Sequence, residues 1–213
     1  MPDLIGTAQL LVEGNNDRHV VWALCEQHQV PQTFSVVIAR EDNGGVEALL
    51  KSIPVRLKVS GLRALGIILD ADQNLASRWA AVCERLRQAG YSDLPPNPEP
   101  NGSIIAVDQM PRIGIWLMPN NNLPGMLENF VSHLIPDDDL LAPKTEDILR
   151  EIEREGLNKY SLSHHQKAFI HTWLAWQETP GQPIGQAITA QVLNHNQPLA
   201  QAFTNWLNLL FNL

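Results

Sequence analysis

Short apolar runs, each followed by apolar residues at helical spacing, set the rhythm of the first half of the chain. Thr7 to Glu13 reads as a strand ending in Glu-Gly. Asn15 or Asn16 then caps a helix to about His28, with Val20, Val21, Leu24 and Cys25 on one face. Phe34 to Ala39 is a β-branched run and predicts a second strand. Asp42-Asn43-Gly44-Gly45 predicts a loop that leads into a helix over Val46 to Ser52. Leu62 to Leu69 predicts a third strand. Asn74 to Ala89 predicts a helix with Leu75, Trp79, Val82, Cys83 and Leu86 inward, ended by Gly90. Strands and helices that alternate in this way specify a parallel α/β sheet.

Four prolines between Tyr91 and Gly102 make that stretch a loop. Ser103 to Val107 and Ile113 to Met118 predict two more strands, and a helix follows the asparagine-rich turn from about Gly125 to Leu134. Pro136-Asp137-Asp138-Asp139 marks a boundary. Beyond it the pattern predicts helices only, over Thr145 to Glu155, Ser163 to Gln177, Pro183 to Leu193 and Pro198 to Phe211. Phe203, Trp173, Trp176 and Trp206 fall there and read as packing residues. The expected architecture is an α/β core over residues 1–135 and an all-helical C-terminal extension, 136–213, packed on it.

Composition narrows the class. The 213 residues, 44% hydrophobic and 18% charged, suit a soluble globular protein. No apolar run reaches membrane-spanning length, and the N-terminus lacks the regions of a signal peptide. Cys25 and Cys83 lie on apolar helix faces and read as reduced core residues, which implies a cytoplasmic protein. The formal net charge of -8 opposes tight nonspecific nucleic-acid binding. One segment departs from it: between Glu47 and Asp70 the charged residues are Lys51, Arg56, Lys58 and Arg63. They read either as a solvated basic face or as an edge that tracks phosphates beside an acidic site.

Two acidic segments carry the candidate chemistry, Val12-Glu13-Gly14-Asn15-Asn16-Asp17 and Asp70-Ala71-Asp72. Each ends an apolar strand, and strand ends of a parallel sheet meet at one edge. Converging carboxylates repel unless a cation lies between them, and oxygen ligands point to Mg²⁺ or Mn²⁺. In an extended segment Asp70 and Asp72 would face the same side. The bland alternative has Asp72 helping to start the next helix. Asp17 also suits the first turn of a helix, where its charge meets the dipole. Glu13 at a strand tip has no such ready structural role. His164, His165 and His171 lack the spacing of a helical metal pair and read as helix-surface residues. Neither a nucleophile elbow nor a Walker loop occurs.

Glu13-Gly14 after an apolar strand, with Asp70-x-Asp72 ending a later one, resembles the Toprim domain of topoisomerases, bacterial primases, recombination mediators and OLD-family nucleases. The resemblance covers about Thr7 to Leu134, and Asn43-Gly44-Gly45 is similar to the glycine turn after the second Toprim strand. The layout is similar to small bacterial proteins built on a Toprim-like core. The resemblance implies a Toprim-like, mostly parallel sheet flanked by helices. It implies acid-base work for Glu13, with metal binding in some members. It also implies metal binding by Asp70 and Asp72, with Asp17 less fixed in role. Glu128, in Pro-Gly-Met-Leu-Glu-Asn, resembles a further acidic position of the nuclease branch, or else is a capping-box partner after Gly125.

These readings predict a Mg²⁺-dependent phosphoryl-transfer enzyme that hydrolyses nucleic-acid phosphodiesters. The competing expectation is a non-catalytic module that binds a metal, a nucleotide or a protein. In it the C-terminal helices mediate homo-oligomer formation or assembly with a partner protein.

Overall fold

A computed structural model describes residues 6–38 and 45–212. Five strands form one sheet in the order β2-β1-β3-β5-β4. They are β1 (Ala8–Val12), β2 (Ser35–Ile38), β3 (Ala64–Asp70), β4 (Ser103–Ile105) and β5 (Arg112–Met118). All pairs are parallel except β4 with β5. The mostly parallel α/β sheet flanked by helices, followed by C-terminal helices, is therefore as the sequence predicted. The Asp42 to Gly44 part of the predicted glycine loop lies outside the described residues, as does Ala39 at the end of the second strand.

Period-two alternation assigns each strand residue to a face. Leu11, Leu65, Ile67, Leu69, Ile113, Ile115 and Leu117 face α2 (Gly45–Arg56) and α3 (Leu75–Gln88). Leu10, Val12, Ile68 and Trp116 face the other layer. That layer is made by α1 (Asn15–Gln27), α4 (Leu127–Ser132), α5 (Leu141–Arg154), α6 (His165–Ala175), α7 (Ile184–Thr189) and α8 (Pro198–Phe211). Residues beyond 135 thus share one core with the sheet rather than hanging from it. The Trp116 ring lies 5.1 Å from that of Phe203 and 5.7 Å from that of Trp206. Trp173 is buried, whereas Trp176, expected to pack, is exposed.

Gly66 and Gly114 stand opposite each other on β3 and β5. They let α8 lie close on the sheet: a methyl at Gly114 would collide with Leu210, and one at Gly66 with Leu10. Several boundaries move from the sequence reading. Gly14, not Asn15 or Asn16, is the N-cap of α1. The helix expected over Val46 to Ser52 runs on to Arg56 through Pro54. The one expected from Ser163 starts as a 3₁₀ turn, Leu162–His164, before α6.

Candidate functional site

The sheet's topology creates the site. From β1 the chain passes first to β2 on one side and then to β3 on the other, so the strand order reverses between β1 and β3. In open α/β sheets ligands bind in the crevice at the carboxyl ends of strands at such a point. Glu13 directly follows β1, and Asp70 is the last residue of β3. Asp17 projects from the first turn of α1 and Glu128 from the first turn of α4. Glu13, Asp17, Asp70 and Glu128 line one cavity of about 450 Å³, together with Gly14 and Lys167.

Main-chain donors hold three of the four carboxylates. Glu13 Oε1 accepts the Asp70 N–H at 2.8 Å, Asp17 Oδ2 the Gly14 N–H at 3.0 Å, and Asp70 Oδ1 the Leu127 N–H at 2.9 Å. Glu13 and Asp70 each keep a second oxygen without a protein hydrogen bond among the described residues. Burial raises the Asp70 carboxyl to about 9, reinforced by the charges of Glu13, Asp17 and Glu128 and opposed by the Leu127 N–H. Burial, then the charge of Glu13, raises Asp17 to about 7. Burial also raises Glu13 above the ordinary carboxylate range, against the Asp70 N–H and the charge of Arg78. A cation placed among these groups would take the place of their protons.

Asp72 departs from the expected Asp-x-Asp geometry. Its φ is +51°, so the chain turns there and the two-residue alternation of a strand is broken. The Asp72 N–H donates to Gly125 O at 2.8 Å, and its carboxylate pairs with Arg78, whose Nε donates to Asp70 O at 2.8 Å. With its side chain 52% exposed, Asp72 touches the rim of the cavity, tied to a cation from α3. It does not cap the helix either, since Asn74 Oδ1 accepts the Ser77 N–H. Glu128 likewise is not a capping partner. Asn129 Oδ1 accepts the Met126 N–H, and Glu128 is buried beside Lys167, 3.7 Å away.

Three of the four basic residues lie elsewhere. Arg63 directly precedes β3, so the strand's length, about 20 Å, separates it from the acidic edge. Arg56 ends α2, and its Nη1 donates to Gln9 Oε1 near the start of β1. Lys58 follows on the turn between them, and Lys51 is exposed on α2. The structure therefore sets Arg56, Lys58 and Arg63 at the opposite edge of the sheet and does not form a basic rim beside the carboxylates.

A second cavity of about 720 Å³ adjoins the first, sharing Asp72, Met126 and His164. Asn74, Ser77, Arg78, Asn129 and Gln166 are among its polar lining. Its α6 wall is anchored by His165, which is not a free surface histidine. Nδ1 lies 2.7 Å from Glu153 Oε1 and Nε2 2.9 Å from Glu146 Oε2, both on α5.

The chemistry of the carboxylates suits a hard divalent cation. Among the described residues, no three His, Cys, Asp or Glu side chains are arranged as a ready-made cage. Mg²⁺ does not need one, because it keeps several waters and binds through one or two carboxylates plus substrate phosphates. One or two of Glu13, Asp17, Asp70 and Glu128, which line one cavity, could serve in that mode.

Fold and site together define an α/β protein with buried and half-buried carboxylates gathered at the switch point of a mostly parallel sheet. The chain belongs to the family described as "Protein of unknown function (DUF3226)", whose model matches residues 7–212. No curated protein and no solved structure matches the chain. No helix among the described residues is long and apolar enough to cross a membrane.

Proposed function

We propose that this protein is a Mg²⁺- or Mn²⁺-dependent phosphoryl-transfer enzyme acting on nucleic-acid phosphodiesters in the cytoplasm. One observation carries the reading. Glu13, Asp17 and Asp70 share a cavity with raised proton affinities, and among the described residues no basic side chain pairs with any of them. Carboxylates so placed cost stability unless a ligand repays it, which is the pattern of a functional site. The resemblance of Glu13-Gly14 and Asp70 to the Toprim motifs supports the reading, as does the parallel order β2-β1-β3-β5. The buried, unpaired Cys25 and Cys83 agree with a reducing compartment.

One or two of Asp70, Asp17 and Glu128 would hold the cation, with water and a substrate phosphate completing its shell. When bound, that ion would polarise a phosphate oxygen and acidify a water. Glu13, with its proton affinity raised by burial, would accept or return a proton at Oε2. The adjoining 720 Å³ hollow has the size of a small-molecule site and would take the substrate beyond the scissile phosphate.

A second reading is a non-catalytic metal-, nucleotide- or protein-binding module. The position of Arg56, Lys58 and Arg63 away from the acidic edge favours it, since they cannot guide a backbone into the cavity. Exposed Leu140, Leu157 and Leu162 would then serve assembly with a second copy or a partner. Incubation of the full chain with single- and double-stranded oligonucleotides, in Mn²⁺ or in excess chelator, separates the two. Cleavage with metal only supports the enzyme; none with any strand or metal leaves the module.

A further inference from the structure

Glu128 is the least provided-for carboxylate of the cavity. It is 5% exposed, yet it accepts no hydrogen bond among the described residues. Its ionic partner is Lys167 Nζ at 3.7 Å. Buried carboxylates normally have closer and more numerous partners, because an unpaired buried charge is costly. Lys167 reaches the cavity from α6, in the C-terminal layer, and its side chain is 53% exposed. An ammonium held on a flexible stem by one distant carboxylate is weakly retained.

We propose that Lys167 is the resident counter-cation of the carboxylate cavity, neutralising Glu128 until a divalent ion displaces it, so that α6 sets the metal affinity of a site built on the sheet edge. The inference rests on the metal-binding reading above. Two cations that compete for one carboxylate repel each other, and the half-exposed stem of Lys167 lets the ammonium retreat into water. Removing the ammonium without a replacement would leave Glu128 buried and unpaired, which strengthens its demand for metal.

The test is the Mn²⁺ affinity of the full chain, read by calorimetry and by the electron-spin-resonance signal of free Mn²⁺. Lys167→Gln and Lys167→Met should each bind Mn²⁺ about three- to tenfold tighter than wild type, the scale of an ion-pair contribution doubled for a divalent ion. Lys167→Arg, which keeps the charge, should stay near wild type. Equal or weaker binding by the Gln and Met variants overturns the proposal, as does tightening by the Arg variant to the same extent. Wild-type protein that binds no Mn²⁺ at millimolar concentration overturns the metal reading itself, and this inference with it. That outcome is distinct from a wild type that binds while the variants do not differ.

Discussion

Glu13 Oε1 accepts the main-chain N–H of Asp70 at 2.8 Å, and this bond spans the point where the strand order reverses between β1 and β3. It ties the two strand ends that bear the acids and commits one Glu13 oxygen inward. The residue also lines the cavity. The same bond makes Glu13 part of the fold as well as of the site, so the choice of substitution decides what is measured.

Glu13→Gln keeps an oxygen able to accept the Asp70 N–H but removes the ability to take a proton. Metal-dependent hydrolysis should fall by about a hundredfold or more, with the thermal midpoint in chelator unchanged or raised. A rise is expected where the half-buried, raised carboxyl of Glu13 costs stability. Cleavage rates and melting curves on the same preparation check both halves. Undiminished metal-dependent cleavage would remove Glu13 from the chemistry.

Asp70 and Asp72 should part company. Asp70 lies inside the cavity with one oxygen free, whereas Asp72 is paired with Arg78 at the rim. Metal that binds only the native state raises its melting temperature by mass action. Asp70→Asn should abolish the Mg²⁺-induced rise. Asp72→Asn should retain most of it and cost the chelated protein less than about 1 kcal/mol, as for an exposed ion pair. Loss of the Mg²⁺ response in Asp72→Asn alone would reverse this assignment.

Legibility in the sequence followed the range of each interaction. Strand and helix identity depends on neighbours two to four residues apart, so the β1-α1-β2-α2-β3-α3 order could be read from apolar spacing. The convergence of Glu13 and Asp70 was legible because strand ends of a parallel sheet share an edge, and Asp17 follows from the first turn of the helix after β1. Asp72 misled because its left-handed backbone breaks the alternation that the Asp-x-Asp spacing assumed. Arg78 left a weak local signal, a cation one turn beyond the Asn74 cap. Lys167 left none, since its approach to Glu128 depends on how α6 docks beside α4. Histidine spacing alone gives no sign of the anchoring of His165, because its partners are carboxylates on α5, at Glu146 and Glu153. Arg56, Lys58 and Arg63 do not join the acidic cluster, because proximity along the chain to Asp70 became separation by the length of β3.

The approach of α8 to the sheet depends on an absent side chain. Gly114→Ala should destabilise the fold by about 1–3 kcal/mol through overpacking against Leu210, and Leu210→Ala by about 2–5 kcal/mol through the cavity it leaves. The double variant should cost clearly less than the two together, because the new methyl enters the space that Leu210 vacates. Urea denaturation of the four proteins measures the coupling. Strict additivity would mean that α8 does not seat on this glycine.

Stability of the metal-free protein should fall as the pH rises. Asp70 titrates near 3.8 when unperturbed and at about 9 in the fold, and Asp17 moves from 3.8 to about 7. Between those values the native state holds protons that the unfolded chain has released. Stability is therefore full below about pH 4 as far as these groups are concerned, and is lost through about pH 7 for Asp17 and about pH 9 for Asp70. Each group lowers it by at most about 1.4 kcal/mol per pH unit within its window. Asp70→Asn keeps an acceptor for the Leu127 N–H and has no proton to lose. In chelator it should melt above wild type at pH 8, match it near pH 4, and show the shallower pH slope between. Saturating Mg²⁺ should reverse the wild-type trend, since the ion requires the deprotonated carboxylates and binds better as they ionise. Urea titrations of both proteins at pH 5, 7 and 9, with chelator and with Mg²⁺, decide the matter. A wild type that gains stability between pH 5 and 9 in chelator, or an Asp70→Asn variant weaker than wild type at pH 9, would show that Asp70 is ionised and paired in the fold, and the cavity would then have no charge left for a metal to relieve.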